Sequence, residues 1–397
     1  QRLMSLPLLA VSFLVLSAAP QSNGPAPSTS QAPRRAALQP PPVRPSVAGP
    51  LVAEYVEQYF DMYPSRATEA GRHDRDEALE DFSSARVSAW VAFNRETRAR
   101  LQAALRGASE DDRLDAVVTL AHIERELVEH ELLNRREEDP LFWTTALSNA
   151  TVFLLVRDDL PRDRALAAAR RRASLVAPLA RAARETFEVA PRDRVAPEHA
   201  RLAAAQASSL ATFYASGFAR AFPSSEQEAV TREAEFAALA LKDLAATLED
   251  LAREATGKAQ LGPRYAEVFR AGTGLAERPA VVLARAKRAL AAKRREAAAY
   301  ARSVFTEVTG ETTAPASDAD VLRRAFAAIA LDRDPDLDTY IAAWKRNTVD
   351  IERFVRGKRM MTLPDPLSLK IAVSPPYFTG QSVGGVYAAG PWSPEAS

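Results

Sequence analysis

Between residues 51 and 356 the apolar residues recur every three or four positions, the repeat of an α-helix that buries one face. Prolines and glycines punctuate this repeat, which restricts the chain to a body of many helices joined by short turns. The last helix is the most regular. Leu337, Tyr340, Ile341, Trp344, Thr348, Ile351, Phe354 and Val355 make one nearly continuous stripe. Gly357, Lys358 and Arg359 supply the glycine and the positive charge expected where it ends.

The other helices follow from their punctuation. Val52, Tyr55, Val56, Tyr59, Phe60 and Tyr63 share one face of a first helix, and Pro64 stops it. A polar stretch over residues 65–83 precedes a helix from Ser84 with Val87, Trp90, Val91, Leu101 and Leu105 as core candidates, closed by Gly107. Ser109, followed by acidic residues, caps a long helix to about Asn134. Residues 141–156 form a more apolar, buried helix behind Asp139-Pro140. Pro161 opens a helix kinked at Pro178, and helices follow over 198–222, 225–256 (capped by Ser225), 262–272, 279–308 and 317–331. Gly272-Thr273-Gly274 follows a helix and lacks a third glycine, so it reads as a helix end and not a dinucleotide loop.

One segment breaks the pattern. Leu367, Leu369, Ile371 and Val373 alternate with Ser368, Lys370 and Ala372, the repeat of a half-buried strand, and prolines bracket the run. The expected fold is therefore mainly α: a multi-helix body with one short β-strand element near the C-terminus, over residues 367–373. Such a strand is an edge, and an extended peptide can pair with it. No second convincing strand is present in the sequence to pair with it, so its partner is expected from further polypeptide or from another chain.

At the other end, residues 1–19 read as a signal peptide: Arg2, an apolar core over 6–16, and a small-residue exit at Ser17-Ala18-Ala19. The core is shorter than the roughly 20 residues of a membrane span. Residues 20–50, rich in Pro, Ser, Ala and Gln, form a disordered linker. The chain is thus expected to be exported, to the periplasm or beyond, with no membrane association other than the signal. Since residue 1 is Gln, the reading frame is expected to begin earlier.

Composition removes several chemistries. The net charge of +1 gives no field for nucleic acid or for a membrane surface. Absence of cysteine excludes disulfides, thiol catalysis and thiolate-bound zinc. Nearly all basic residues are arginine, which, like the abundance of alanine, reads as coding bias. Only four histidines are present: His73, His122, His130 and His199. His122, Glu126 and His130 lie four apart on one helical ridge, as metal ligands can, but Glu124, Glu129 and Glu131 around them favour an ordinary charged face. The basic triplets at 170–172 and 293–295 read as solvated faces, because successive helical residues point in different directions. His73, with Asp74, Asp76 and Asp81, is the densest polar group in a loop and a candidate substrate contact; capping of the next helix accounts for Asp81 and Ser83 alone.

The order of several short motifs resembles a bacterial family known as domain of unknown function family 885. They are Tyr63-Pro64, then Ala67-Thr68-Glu69-Ala70-Gly71-Arg72-His73, Asp81-Phe82-Ser83, Asp112-Arg113-Leu114-Asp115, Asp139-Pro140-Leu141, Phe354-Val355, Leu363-Pro364 and Pro375-Pro376-Tyr377-Phe378. The resemblance spans nearly all of residues 51–397. It implies an exported helical protein related to zinc metallopeptidases, whose His-Glu zinc motif lies downstream of the Pro-Pro segment. That motif is absent here, so residues 51–397 are expected to be the N-terminal part of such a domain, cut before its zinc motif. No catalytic or metal residue can be assigned, and this chain alone is expected to be inactive. Zinc and a peptide substrate belong to the full-length protein. Tyr377, Tyr387 and His73 are the candidate substrate contacts, beside the strand at 367–373. The alternative is an exported helical binding or scaffold protein without catalysis.

Overall fold

The computed structural model describes residues 48–157, 159–331 and 336–363, together with Leu367 and Ile371. The signal peptide expected over residues 1–19, the linker expected over 20–50 as far as residue 47, and Tyr377 and Tyr387 lie outside them, while the last three residues of that expected linker, 48–50, are helical and open the first helix. The described residues are mainly helical, and no strand is present among them. The strand expected at 367–373 falls mostly outside; Leu367 and Ile371 themselves lie in neither helix nor strand. Helices, turns and caps take up the backbone hydrogen bonding of the described residues, which leaves no sheet edge among them for such a strand to join.

Two groups of helices build the body. In the first, α1 (Ala48–Met62) and the short α2 (Pro64–Glu69) precede α3 (Ser84–Ala104) and α4 (Glu110–Leu127), and α1, α3 and α4 pack on one another. Pro64 does not simply stop a helix: it stands at the first position of α2, where its missing N–H costs nothing. Ser83 caps α3 by accepting from the Arg86 amide, and Ser109 caps α4 by accepting from the Asp112 amide, as the sequence indicated. α4 widens into a π-helical turn, Val128–Leu132, and Asn134 closes it in the left-handed region at φ 43°.

The second group follows the brief α5 (Arg135–Glu138). It comprises α6 (Pro140–Val156), α7 (Arg162–Glu188), α8 (Pro197–Thr212) and α9 (Gln227–Glu254). α6 is apolar on nearly every side and is buried as expected, with Trp143, Leu147, Phe153 and Leu154 in the core. α7, α8 and α9 meet along alanines, among them Ala169, Ala173 and Ala180 on α7, Ala203 and Ala207 on α8, and Ala234 and Ala237 on α9. Small side chains let these backbones approach closely, so alanine has a packing role here that coding bias alone does not express. α7 continues through Pro178 as one helix. α8 gives way to a π-helical turn, Phe213–Gly217, and a 3-10 turn, Phe218–Ala221, that turn Tyr214 and Phe218 into the core. α9 starts at Gln227, and the flanking Glu226 makes no side-chain cap; the capping role expected of Ser225 is absent. Gly257 donates to the Val195 carbonyl at 3.0 Å, and a Cβ there would lie 2.5 Å from that oxygen, so this crossing admits only glycine.

The remaining helices are α10 (Tyr265–Thr273), ended by Gly274 in the left-handed region as its sequence implied, α11 (Pro279–Ser303), α12 (Phe305–Thr309), α13 (Asp318–Leu331) and α14 (Leu337–Lys358). α10 packs on α4, and α11, α12 and α13 share a small core around Phe305 and Val321. α14 packs along no other described helix. Arg359, not Gly357, takes its left-handed terminal position, at φ 50°. No helix of the described residues is long and apolar enough to cross a membrane.

Candidate functional site

The strongest concentration of polar side chains inside the body lies where α1, α3 and α4 meet. Tyr55 and Tyr59 of α1, and Tyr63 just after it, recur every four residues and face α4 and the π-helical turn that continues it, which is why they find His122 and His130. The Tyr55 hydroxyl lies 2.9 Å from His122 Nδ1, and the Tyr63 hydroxyl lies 3.0 Å from His130 Nε2. Tyr63 also donates to Glu126 Oε2 at 2.7 Å, and Trp90 Nε1 donates to the same oxygen at 2.8 Å. Tyr59 fills the middle, its ring edge-on to His122 at 4.8 Å between centroids.

The hydroxyl of Tyr63 has one hydrogen, and Glu126 receives it. The contact with His130 therefore runs the other way, with Nε2–H donating to the tyrosine oxygen. This fixes a relay, His130 to Tyr63 to Glu126, and leaves His130 Nδ1 buried without a hydrogen-bond partner. Burial works against the charge on Glu126, but His130, His122 and Tyr63 outweigh it and hold the carboxyl well below the ordinary range. Burial drives Tyr63 far above the usual phenol value, reinforced by the charge of Glu126, and depresses His122. The His122–Glu126–His130 ridge is thus no solvated charged face, contrary to the expectation from its acidic neighbours. Burial by Tyr55, Tyr59 and Tyr63 is the reason, and their four-residue spacing was the available signal.

His73 belongs to a second network, which locks the loop over residues 70–83. Its Nδ1 lies 2.8 Å from Asp76 Oδ2, and its Nε2 lies 3.6 Å from Asp159 Oδ1. Asp76 accepts from Thr68 Oγ1 at 2.6 Å, and Thr68 in turn accepts from Arg172 at 2.8 Å. Arg172 is completely buried, and it also donates to the carbonyls of Pro64, Arg75, Ala78 and Ala150. The triplet at 170–172 therefore divides: Arg171 is exposed, while Arg172 ties α7 to α2, α6 and the loop. His73 has a side chain only 16% exposed, held between carboxylates that fix the loop, so the described contacts give it an architectural task.

His199 completes the set, 3.2 Å from Asp139, which also caps α6. All four histidines of the chain are thus engaged with a tyrosine or a carboxylate. Among the described residues no group of three His, Asp or Glu side chains is arranged to hold a metal ion. The donors here fit clamps between helices and do not fit a zinc site.

A family model described as bacterial protein of unknown function, DUF885, matches residues 64–396. No curated protein matches the chain. Among solved structures, a candidate lipoprotein of unknown function from Shewanella oneidensis is similar at a TM-score of 0.60 and 15% identity, over 83% of this chain and 62% of that one. At that identity the likeness concerns the fold. The chain spans 62% of the length of this neighbour.

Proposed function

This chain belongs to the bacterial DUF885 family, and from that premise we propose that it is the helical wall of an exported, zinc-dependent hydrolase acting on peptides. The observation that carries this reading is bare apolar surface on two helices, above all the stripe of α14. On α14, Trp344 is 52% and Phe354 55% exposed; on α13, Phe326 is 64% exposed. Tyr340 and Ile351 extend the same stripe of α14. A stripe of this size is built to be covered. In the proposed protein, further polypeptide of the kind that makes the structural neighbour longer covers it and brings the zinc ligands. The four engaged histidines support placing those ligands outside the described residues. The segment at 367–373 would then hold an extended substrate, with Tyr377 and Tyr387 as contacts. Export is supported by the apolar run at residues 6–16 and by the kind of protein the neighbour is.

The second reading, a non-catalytic helical scaffold, is favoured by the lack of any metal-holding group among the described residues. Metal analysis and peptide hydrolysis on the whole protein decide between them. Stoichiometric zinc with turnover, lost on chelation and restored by zinc, is the expected result. A metal-free protein inert toward a peptide library would leave only the scaffold.

A further inference from the structure

We infer that the basic face of α11 is a docking surface for an anionic phospholipid membrane, on which the helix lies flat. The overall charge of +1 conceals how the charges are placed. α11 holds seven arginines and lysines and a single acid, Glu296, which leaves the rest of the chain with an excess of acids. Lys293 pairs with that acid, Arg285 with Glu277 and Arg302 with Asp318. Lys287, Arg288, Arg294 and Arg295 have no ion-pair partner among the described residues, and all four are exposed. The basic triplet at 170–172 behaves otherwise: Arg170 pairs with Glu226 and Glu233, and Arg172 is buried among carbonyls.

The uncompensated cations form two rows. Seven residues bring a helix nearly back to the same face, so Lys287 lines up with Arg294 and Arg288 with Arg295, each pair about 10 Å apart along the axis. Leu283 and Leu290, 54% and 52% exposed, make a third row with the same spacing, next to Lys287 and Arg294. α11 packs on α13 through its last turns, where Ala298 and Ala301 are buried, while every residue from 283 to 297 is exposed. About four turns of helix therefore stand clear of the described residues, and a broad flat surface can reach them. The mixture selects the partner. A nucleic acid would satisfy the cations and leave both leucines in water. A folded acidic protein would need carboxylates fixed opposite four long, flexible side chains. An anionic bilayer supplies mobile phosphates that adapt to the cation rows and an apolar layer beneath them for the leucines, with the arginine stems lying between. Two leucines are too few to anchor a helix by themselves, so the charge of the lipid decides the binding. The inference does not depend on the hydrolase reading, since it uses only the surface of α11.

The test is co-sedimentation of the whole protein with vesicles of phosphatidylcholine alone and of phosphatidylcholine and phosphatidylglycerol in equal parts. The apolar run at residues 6–16 contributes alike to both, so the preference between them reads α11. Tighter binding to the anionic vesicles, by about tenfold or more, is expected. Replacing Lys287, Arg288, Arg294 and Arg295 by Gln should abolish most of that preference. Leu283→Ala with Leu290→Ala should keep the preference and weaken binding to the anionic vesicles by about fivefold. All six side chains are exposed, so unchanged thermal unfolding verifies that each variant is folded. Equal binding to the two vesicles, or a preference that survives the four Gln substitutions, would overturn the inference. So would a leucine variant that binds as tightly as the parent, or displacement from the vesicles by duplex DNA or polyglutamate at matched charge.

Discussion

Helices α9 and α14 carry the same kind of pattern and meet different surroundings. On α9, Leu241, Leu244, Leu248 and Leu251 follow a three- and four-residue spacing, and all are buried against neighbouring helices. On α14, Tyr340, Trp344, Ile351 and Phe354 follow an equally regular spacing, and all are more than half exposed. α9 is lined by alanine-rich α7 and α8 at close range; no described helix lies along α14. The pattern therefore states which face of a helix seeks cover, while the identity of the cover comes from elsewhere in the chain or beyond it. α11 makes the point from the other side. It is as rich in alanine as α9, yet only Ala298 and Ala301 are buried, because no leucine stripe accompanies the alanines.

If the body is sealed and the later helices are not, substitutions should separate the two regions sharply. The largest effect is expected at Arg172. Arg172→Met leaves four carbonyls and Thr68 without their buried donor, and we predict a loss of about 3–5 kcal/mol in chemical denaturation. A loss below about 1 kcal/mol would mean that water already reaches this site. Next is Leu241→Ala, at a fully buried position of α9, expected to cost about 2–5 kcal/mol. The same experiment on Phe326, at 64% exposure, should cost far less; equal losses would erase the distinction drawn here.

The relay below α1 gives a smaller, pH-dependent effect. Tyr63→Phe removes a donor from Glu126 and the acceptor of His130, at a cost of about 1–3 kcal/mol near neutral pH. Glu126 has a folded pKa below its unfolded value, so its contribution is present above the unfolded carboxylate value of about 4.3 and is lost as pH falls through the folded one. Thermal unfolding should therefore drop in temperature on acidification through that range. In Glu126→Gln this acid limb should be shallower. An unchanged limb would place the responsible carboxylates elsewhere, Asp139 being the first to test because His199 and Arg135 lower its pKa against the effect of burial.

Much of this was legible in advance. The long helices and most of their boundaries followed from periodicity and punctuation, with Ser83 and Ser109 each capping the helix they precede, while the short α2, α5 and α12 and the capping role of Asp139 did not. The polar interior was not legible, for a physical reason. A charged residue on a helical ridge looks the same in sequence whether it meets water or a tyrosine 67 positions away, as His122 and Tyr55 do. Arg172 was hidden in a basic triplet, because its acceptors come from α2, α6 and the loop over residues 70–83, which no local pattern joins to α7. His73 stood out correctly as a densely hydrogen-bonded group, but density of polar contacts marks a lock as readily as a binding site.

The smallest effect is the most informative about α14. Its stripe makes no extended contact among the described residues, so Trp344→Ala should change the stability of this chain by no more than about 0.5 kcal/mol. Amide exchange should agree, with α14 opening at low free energy while α6 and α9 exchange only through global unfolding. In the whole protein, where the proposed cover is present, the same substitution should cost about 3–5 kcal/mol, the price of truncating a buried tryptophan. The ratio between those two losses measures how much of this face the additional polypeptide seals. A large loss already in the present chain would show that α14 is packed here and would remove the contrast with α9. A small loss in both would mean the stripe stays bare, and the wall reading would lose its support while the clamps in the body would stand as described.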